Sequence, residues 1–406
     1  MYRCITELKA LVIDVDSFEN INICEWDEII SSYNCLFLTS VSETQKKLKE
    51  RFGLKTILGM KEYLAKWAPT PVLHMYALKA LNVQTTELAY VSCNILFLRR
   101  ALTFCSGTIW ITNHVGYEDI STSPDILCPD FLYFKNHLKL GIGGYVGESI
   151  VSGKGDRNRL MVAVMLEKQP ELRMRVLGRY YSYTHYMSQK HLYSSAVFLN
   201  KNPSSKAFGV YNDTFLKLYE GAIHGIMKHT DVYGVCSVPP HLGEKNRFHM
   251  ILDQIENDCN IKNLENQFRC IREYPKQKGR SSADRQENIS GVFAYDGRLD
   301  GKTVIILDDV VTTGATIKEC AKVMYQAGAK LVLPIVLAVN QYPGNYWSSE
   351  QPDVLCPKCG MPMKLLINSK TKKFFYSCTR CKTVKDFEVG WKEFCSTVNK
   401  QIFETE

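Results

Sequence analysis

The sequence predicts an α/β protein in three units, residues 1–135, 136–345 and 350–406. Three observations carry this expectation. In the first unit, short apolar runs alternate with segments of helical spacing, the pattern of a parallel sheet covered by helices. The second unit contains an apolar run, two adjacent aspartates, a hydroxyl-rich turn and a helix in direct succession (residues 304–327). The third carries two Cys-x-x-Cys pairs, Cys356/Cys359 and Cys378/Cys381. A chain of 406 residues that is 45% hydrophobic and 23% charged can give each longer unit its own core.

In the first unit, residues 10–15 form a short apolar strand that ends in Asp14 and Asp16. Residues 33–38 form a second strand, followed by Thr39, and residues 43–52 have helical spacing. Residues 75–81 read as a helix, and 87–92 and 107–112 as two further strands. In the second unit, the Tyr-rich stretch 179–193 reads as an aromatic strand pair packed into a core, with a binding surface as the rival account. Helices are expected at 213–228 and 248–257 and strands at 232–238, 302–307 and 331–339. The polar segment 274–288 reads as a loop. A helix at 316–327 follows the hydroxyl-rich turn. In the third unit, residues 363–368 and 373–377 suggest a hairpin between the cysteine pairs, and 390–403 a terminal helix.

The stretch from Val304 to Thr316 is the most specific in the chain. Its strand delivers Asp308 and Asp309 to the carboxyl edge of a sheet, where open α/β folds bind ligands. Val311, Thr312, Thr313, Gly314, Ala315 and Thr316 then form a small turn opening a helix. Such a turn offers backbone N–H groups, hydroxyls and the positive helix end to one phosphate. The carboxylates can hold two ribose hydroxyls, directly or through a divalent ion. Together these groups suit a ribose 5-phosphate.

This pattern resembles the phosphoribosyl pyrophosphate (PRPP) motif of type I phosphoribosyltransferases. The resemblance extends over about 210–340 to ComF-like members of that family. Pro239 falls where the family has its pyrophosphate loop, with Arg247 following. The loop departs from the family in its Pro240-His241 pair and its scattered basic residues, Lys245 and Arg247. The resemblance implies a transferase that displaces pyrophosphate with Mg²⁺. Asp308, Asp309, Lys278 and Arg285 are its candidate catalytic residues; Lys276 and Arg280 share the same loop. It also implies PRPP as ligand and a nucleobase, another small molecule or nucleic acid as acceptor. DNA processing or anti-phage defence is the context suggested by ComF-like proteins. A non-catalytic PRPP or nucleotide sensor, and a nucleic-acid-binding adaptor, are the alternatives.

The four paired cysteines suit a tetrahedral structural Zn²⁺, with eighteen residues between the pairs. Their spacing and the Lys-Phe-Phe-Tyr-Ser-Cys strand resemble the zinc ribbons of DNA topoisomerases. Residues 354–385 contain eight Lys or Arg and no Asp or Glu. This basic run, with Phe374, Phe375 and Tyr376, suggests contact with DNA or RNA; the rival reading places the aromatics in a small core.

Around Asp14, Asp16 and Thr39, the N-terminal unit resembles haloacid-dehalogenase (HAD)-like hydrolases. That resemblance implies a nucleophilic Asp14, an acid/base Asp16 and a phosphate-binding Thr39. The family's distal acids are replaced by Ser92, Cys93 and Asn94. The expectation is therefore a degenerate domain with its phosphatase activity lost.

The remaining expectations concern location and assembly. There is no apolar run long enough to cross a bilayer, and the opening residues lack the apolar segment of a signal peptide. Fifteen cysteines, many of them in apolar runs, suit a reducing compartment. A cytoplasmic protein without membrane association is expected, and a homodimer is compatible with the fold.

Overall fold

The computed structural model describes residues 8–18, 22–53, 56–58, 71–83, 87–102, 106–138, 144–151, 161–182, 191–201, 208–274, 288–341, and most of 356–389. Lys278, Arg285 and the expected helix at 390–403 lie outside the described residues.

The first sheet contains β1 (Ala10–Asp14), β2 (Asn34–Thr39), β3 (Thr56–Leu58), β4 (Leu88–Ser92), β5 (Gly107–Ile111) and β6 (Ile126–Cys128). Its order is β3-β2-β1-β4-β5-β6, and every pairing is parallel. The chain leaves β1 towards β2 and returns to β4 on the other side, so the order reverses beside β1. Both faces of β1 are buried: Leu11 and Ile13 on one, Val12 on the other. Parallel strands covered on both faces read as unbroken apolar runs, which is why residues 10–13 carry no polar alternation.

The second sheet is mixed. It contains β7 (Val162–Glu167), β8 (Leu172–Val176), β9 (Arg179–Tyr181), β10 (Gly234–Ser237), β11 (Lys262–Asn263), β14 (Thr303–Val311) and β15 (Leu331–Gln341), in the order β11-β10-β14-β15-β8-β7, with β9 also on β15. Only β7, paired to β8, runs antiparallel. A separate antiparallel pair joins β12 (Phe268–Cys270) to β13 (Phe293–Tyr295). Helices Asn212–Met227 and His249–Cys259 cover one face through Phe215, Tyr219, Ile251 and Ile255.

Two sequence expectations are corrected here. The strand at 302–307 does not stop before the acids. It continues to Val311, because β15 is long enough to pair Val310 with Ala338 and Val311 with Val339. Within the Tyr-rich stretch, the described residues form one strand, Arg179–Tyr181, and Tyr193 is helical instead of extended. Arg179–Tyr181 pairs in parallel with Val339–Gln341, on the same edge of β15 that β8 uses at Ile335 and Val336. The two short strands are interrupted at Gly178, where a Cβ would lie 2.3 Å from the Tyr193 ring. Tyr193 itself is helical and donates its hydroxyl hydrogen bond to the Leu337 carbonyl at 2.7 Å. Residues 183–190 lie outside the described set.

The two sheets share buried surface. Val12, Leu36 and Tyr90 belong to the same continuous apolar core as Val164, Met174, Ile306 and Val336. A polar knot is buried beside it. The Arg179 guanidinium is 1% exposed and reaches Glu148 at 2.9 Å and Asp125 at 2.9 Å. Nη1 of the same guanidinium donates to the Ser123 carbonyl, and the Gln341 amide joins Ser123 N and the Ile120 carbonyl. His191 Nε2 lies 3.3 Å from Glu148. Burial works against the Glu148 charge, but Arg179 and His191 outweigh it and hold its carboxyl down at about 2.

The cysteine unit is a small antiparallel sheet, β16 (Met363–Ile367), β17 (Phe374–Cys378) and β18 (Val384–Asp386). The expected hairpin therefore gains a third strand. It follows the second cysteine pair, where Lys382 turns the chain at a positive φ of 60°. No helix among the described residues is long and apolar enough to cross a membrane.

Candidate functional site

Sequence places Asp308 and Asp309 side by side on β14, and alternation would send them to opposite faces. The structure nevertheless brings both near one cation. Arg247 Nη2 lies 2.9 Å from Asp309 Oδ1 and 3.6 Å from Asp308 Oδ1. The second oxygen of Asp309, Oδ2, faces Lys201 Nζ at 3.5 Å. Asp308 Oδ1 accepts the Asp309 N–H at 2.9 Å, and Asp309 Oδ1 accepts the Val310 N–H at 2.6 Å. Tyr219 donates its hydroxyl hydrogen bond to the Asp308 carbonyl at 2.8 Å, tying the acid strand to the covering helix.

The two acids are electrostatically unequal. Burial and the neighbouring Asp309 charge push the Asp308 carboxyl up, to about 7. Burial opposes ionisation of Asp309 as well, but Arg247 and Lys201 overcome it and hold that carboxyl below its ordinary range. The pair is thus set to carry one firm negative charge and one that yields readily to a proton.

Beyond β14 the chain turns through Thr312 and Thr313 to Gly314, which adopts φ 69° and caps helix Ala315–Gln326. A side chain at that left-handed position would be strained, so glycine is the fitting residue. Asp308 and residues 310–317 line a cavity of about 160 Å³. Val311, Gly314 and Ala315 are buried while Thr312, Thr313 and Thr316 are partly exposed. The helix start presents backbone N–H groups to this space, an arrangement that favours an anion.

Next to it, β10 ends at Ser237, paired with Leu307. Pro239, Pro240, His241, Glu244, Asn246 and Glu265 are among the residues lining a second cavity of about 360 Å³. The cation on its wall, Arg269, is ion-paired with Asp296 at 2.7 Å. Arg247 follows this loop but turns to the acid pair. Of the predicted loop residues, Pro239 and Arg247 therefore face different spaces. Lys201 carried no sequence signal: it lies in another part of the chain and outside any motif.

The structure also gathers Asp14, Asp16 and Thr39 at the carboxyl edge of the first sheet, where the strand order reverses. They are engaged with one another and with nearby serines. Asp14 accepts from Ser92 Oγ at 2.7 Å. Asp16 accepts from Thr39 Oγ1 at 2.6 Å, from Ser40 N at 2.6 Å and from the Ser40 hydroxyl. Burial raises the Asp14 carboxyl to about 6. Among the described residues, no third acid, histidine or cysteine joins Asp14 and Asp16 in a metal-sized group.

The four paired cysteines converge. Their sulfurs lie within 4.8 Å of one another, with Cys356 to Cys381 at 3.4 Å and Cys359 to Cys378 at 3.5 Å. A tetrahedron of Zn–S bonds of about 2.3 Å has edges near 3.8 Å. The donor set therefore fits zinc with small adjustment. Hydrogen bonds from Thr383 lower the Cys381 thiol to about 6, which favours the thiolate a metal needs. Tyr376 is fully buried, so its ring is not presented for stacking on a base. Lys382 is exposed.

No protein-family model matches the chain. It is 27% identical over 88 residues to Competence protein F of Haemophilus influenzae, covering 21% of this chain and 38% of that protein. It is 36% identical over 77 residues to the transcriptional regulator GfcR of Methanococcoides burtonii, covering 19% of this chain and 34% of that one. The chain thus spans little more than a third of either relative. Among solved structures, Leishmania donovani UMP synthase aligns over 82% of this chain and 71% of its own at 12% identity, with a TM-score of 0.26. A score that low carries no argument about fold. The similarity to Competence protein F agrees with the phosphoribosyltransferase-like character read from the acid–threonine turn, at the level of family likeness only.

Proposed function

We propose that this chain binds PRPP at the Asp308–Thr316 turn and acts as a phosphoribosyltransferase. The observation that carries the proposal is the junction itself: two acids on one strand, joined by a glycine-capped turn to a helix start. On this reading the turn and the helix N–H groups hold the 5-phosphate, and Asp308 and Asp309 hold the ribose hydroxyls. Breaking the anomeric C–O bond builds positive charge on the sugar and negative charge on the departing pyrophosphate. The acceptor forms the new bond to the anomeric carbon and loses its proton. Asp309 Oδ2 accepts no hydrogen bond among the described residues, so a carboxylate oxygen remains for a divalent ion. Mg²⁺ bound there with PRPP would neutralise phosphate charge. Lys278 and Arg285, on the 275–287 segment, are assigned to the pyrophosphate side.

In the same proposal, residues 136–345 form the transferase unit. Residues 1–135 form a degenerate HAD-like unit whose acids are satisfied internally. Residues 350–406 form a zinc ribbon that brings DNA or RNA, and the acceptor is a nucleobase or a nucleic acid. The test is calorimetric titration of PRPP with Mg²⁺ into the wild type and the Asp308→Asn/Asp309→Asn variant. Binding by the wild type and loss in the variant are expected. No binding by the wild type would refute the reading.

A second reading, a PRPP sensor without turnover, has one specific observation behind it. The cavity beside β10 is lined by Glu244 and Glu265, and its cation Arg269 is already paired. That lining disfavours pyrophosphate. Tight PRPP binding without pyrophosphate release in the presence of nucleobases would select this reading.

A further inference from the structure

Lys201 has no part in the reading above, and its surroundings suggest a specific one. It caps helix Leu192–Asn200, and its side chain is 34% exposed. The two oxygens of Asp309 are differently occupied. Oδ1 takes the Val310 N–H at 2.6 Å and Arg247 at 2.9 Å. Oδ2 accepts no hydrogen bond among the described residues and has the Lys201 ammonium at 3.5 Å. That separation is longer than the 2.7–2.9 Å or so of a charge-assisted hydrogen bond, so the contact is loose. The same ammonium lies 5.4 Å from the centre of the Tyr180 ring, so it shares its charge between the carboxylate and that ring face.

We propose that Lys201 is a resident counter-ion of the acid pair, which gives way to a divalent cation at Asp309 Oδ2 and is left with the Tyr180 ring it already touches. An ion bonded to this oxygen sits at about 2.1 Å. On the Lys201 side it would meet the ammonium, so the two cations exclude each other. Lys201 thereby keeps the acids charge-balanced when ligand is absent. Binding of a metal-bearing sugar phosphate becomes an exchange of one cation for another. Lys201 is a positioning residue on this account, acting through Asp309. The inference deepens the PRPP reading and shares its acid pair.

The test is a calorimetric titration of Mn²⁺, without PRPP, into the zinc-loaded full chain. Lys201→Gln should bind Mn²⁺ roughly tenfold tighter than the wild type, the size expected for a partly screened charge contact. Lys201→Arg should match the wild type, and adding Asp309→Asn to Lys201→Gln should abolish the gain. An unchanged or weaker Mn²⁺ affinity in Lys201→Gln would overturn the proposal, as would a gain that survives Asp309→Asn. Titration of PRPP separates the two readings. Without PRPP binding but with the Mn²⁺ gain, the ligand assignment fails and the counter-ion stands. With PRPP binding but no gain, the reverse holds. Since Lys201 is partly exposed, its replacement leaves no buried void, and circular dichroism of each variant checks the fold.

Discussion

Replacing Arg179 with Met should destabilise the protein more than almost any other single change at the contact between the sheets. The substitution keeps most of the side-chain volume and removes the charge. Two carboxylates then lose their buried partner: Glu148, which is 2% exposed, and Asp125, which is 5% exposed. The scale follows from Glu148. Its carboxyl is held at about 2 against an ordinary 4.5, which corresponds to about 3 kcal/mol favouring the charged form. Arg179 is the largest source of that stabilisation, ahead of His191. Breaking a buried pair from one side costs about 3–5 kcal/mol, in agreement. At about 2–4 °C per kcal/mol, the melting temperature should fall by about 6–20 °C. Differential scanning calorimetry measures the shift. The pH dependence gives a second readout. A depressed carboxyl stabilises the fold fully above its unfolded value near 4.5, and that contribution is lost as pH falls towards 2. The wild type should lose stability across this window, and Arg179→Met should lose less. Pairing Arg179→Met with Glu148→Leu should recover part of the loss, because the unpaired charge disappears. A melting shift under about 2 °C for Arg179→Met would refute the argument that this knot holds the sheets together.

The Asp14 carboxyl should show the opposite pH trend. Its folded value is raised to about 6, so the folded state holds an extra proton between about 4 and 6 and loses stability as pH rises through that window. Asp14→Asn should therefore flatten the profile and raise stability near pH 7 by up to about 2–3 kcal/mol, read from urea midpoints at pH 5 and 7. If the four thiols hold a metal as their geometry fits, removing it should unfold the three-stranded cysteine unit. Native mass spectrometry should count one zinc per chain, and Cys378→Ser should abolish its retention, with loss of the three-strand signal in amide exchange. The Asp308→Asn/Asp309→Asn variant should lose PRPP binding in calorimetry while keeping its melting temperature within about 3 °C, since each asparagine retains the shape of the acid it replaces.

Local chemistry made part of the molecule readable in advance. The run from Val304 to Thr316 declares a strand, an acid pair and a tight helix start within a few residues, and each depends mainly on its immediate neighbours. The two Cys-x-x-Cys pairs are legible for the same reason: the knuckle spacing places both thiols of a pair on one side. The apolar run Leu11–Ile13 already implied a strand buried on both faces. Even so, β14 runs four residues past its expected end at Leu307, because what carries a strand past two aspartates is the length of its partner β15.

The alternation of strands and helices, the acid–threonine turn and the thiol set follow from residue order alone, because backbone preference and short spacing act over a handful of residues. Only the packed fold settles that Lys201 and Arg247 meet the acid pair, that Arg179 is buried between Glu148 and Asp125, and that Tyr376 is buried. Those contacts join distant parts of the chain. Strand order and helix packing choose them, and nothing in the charge of a lysine or an arginine specifies which carboxylate it will meet.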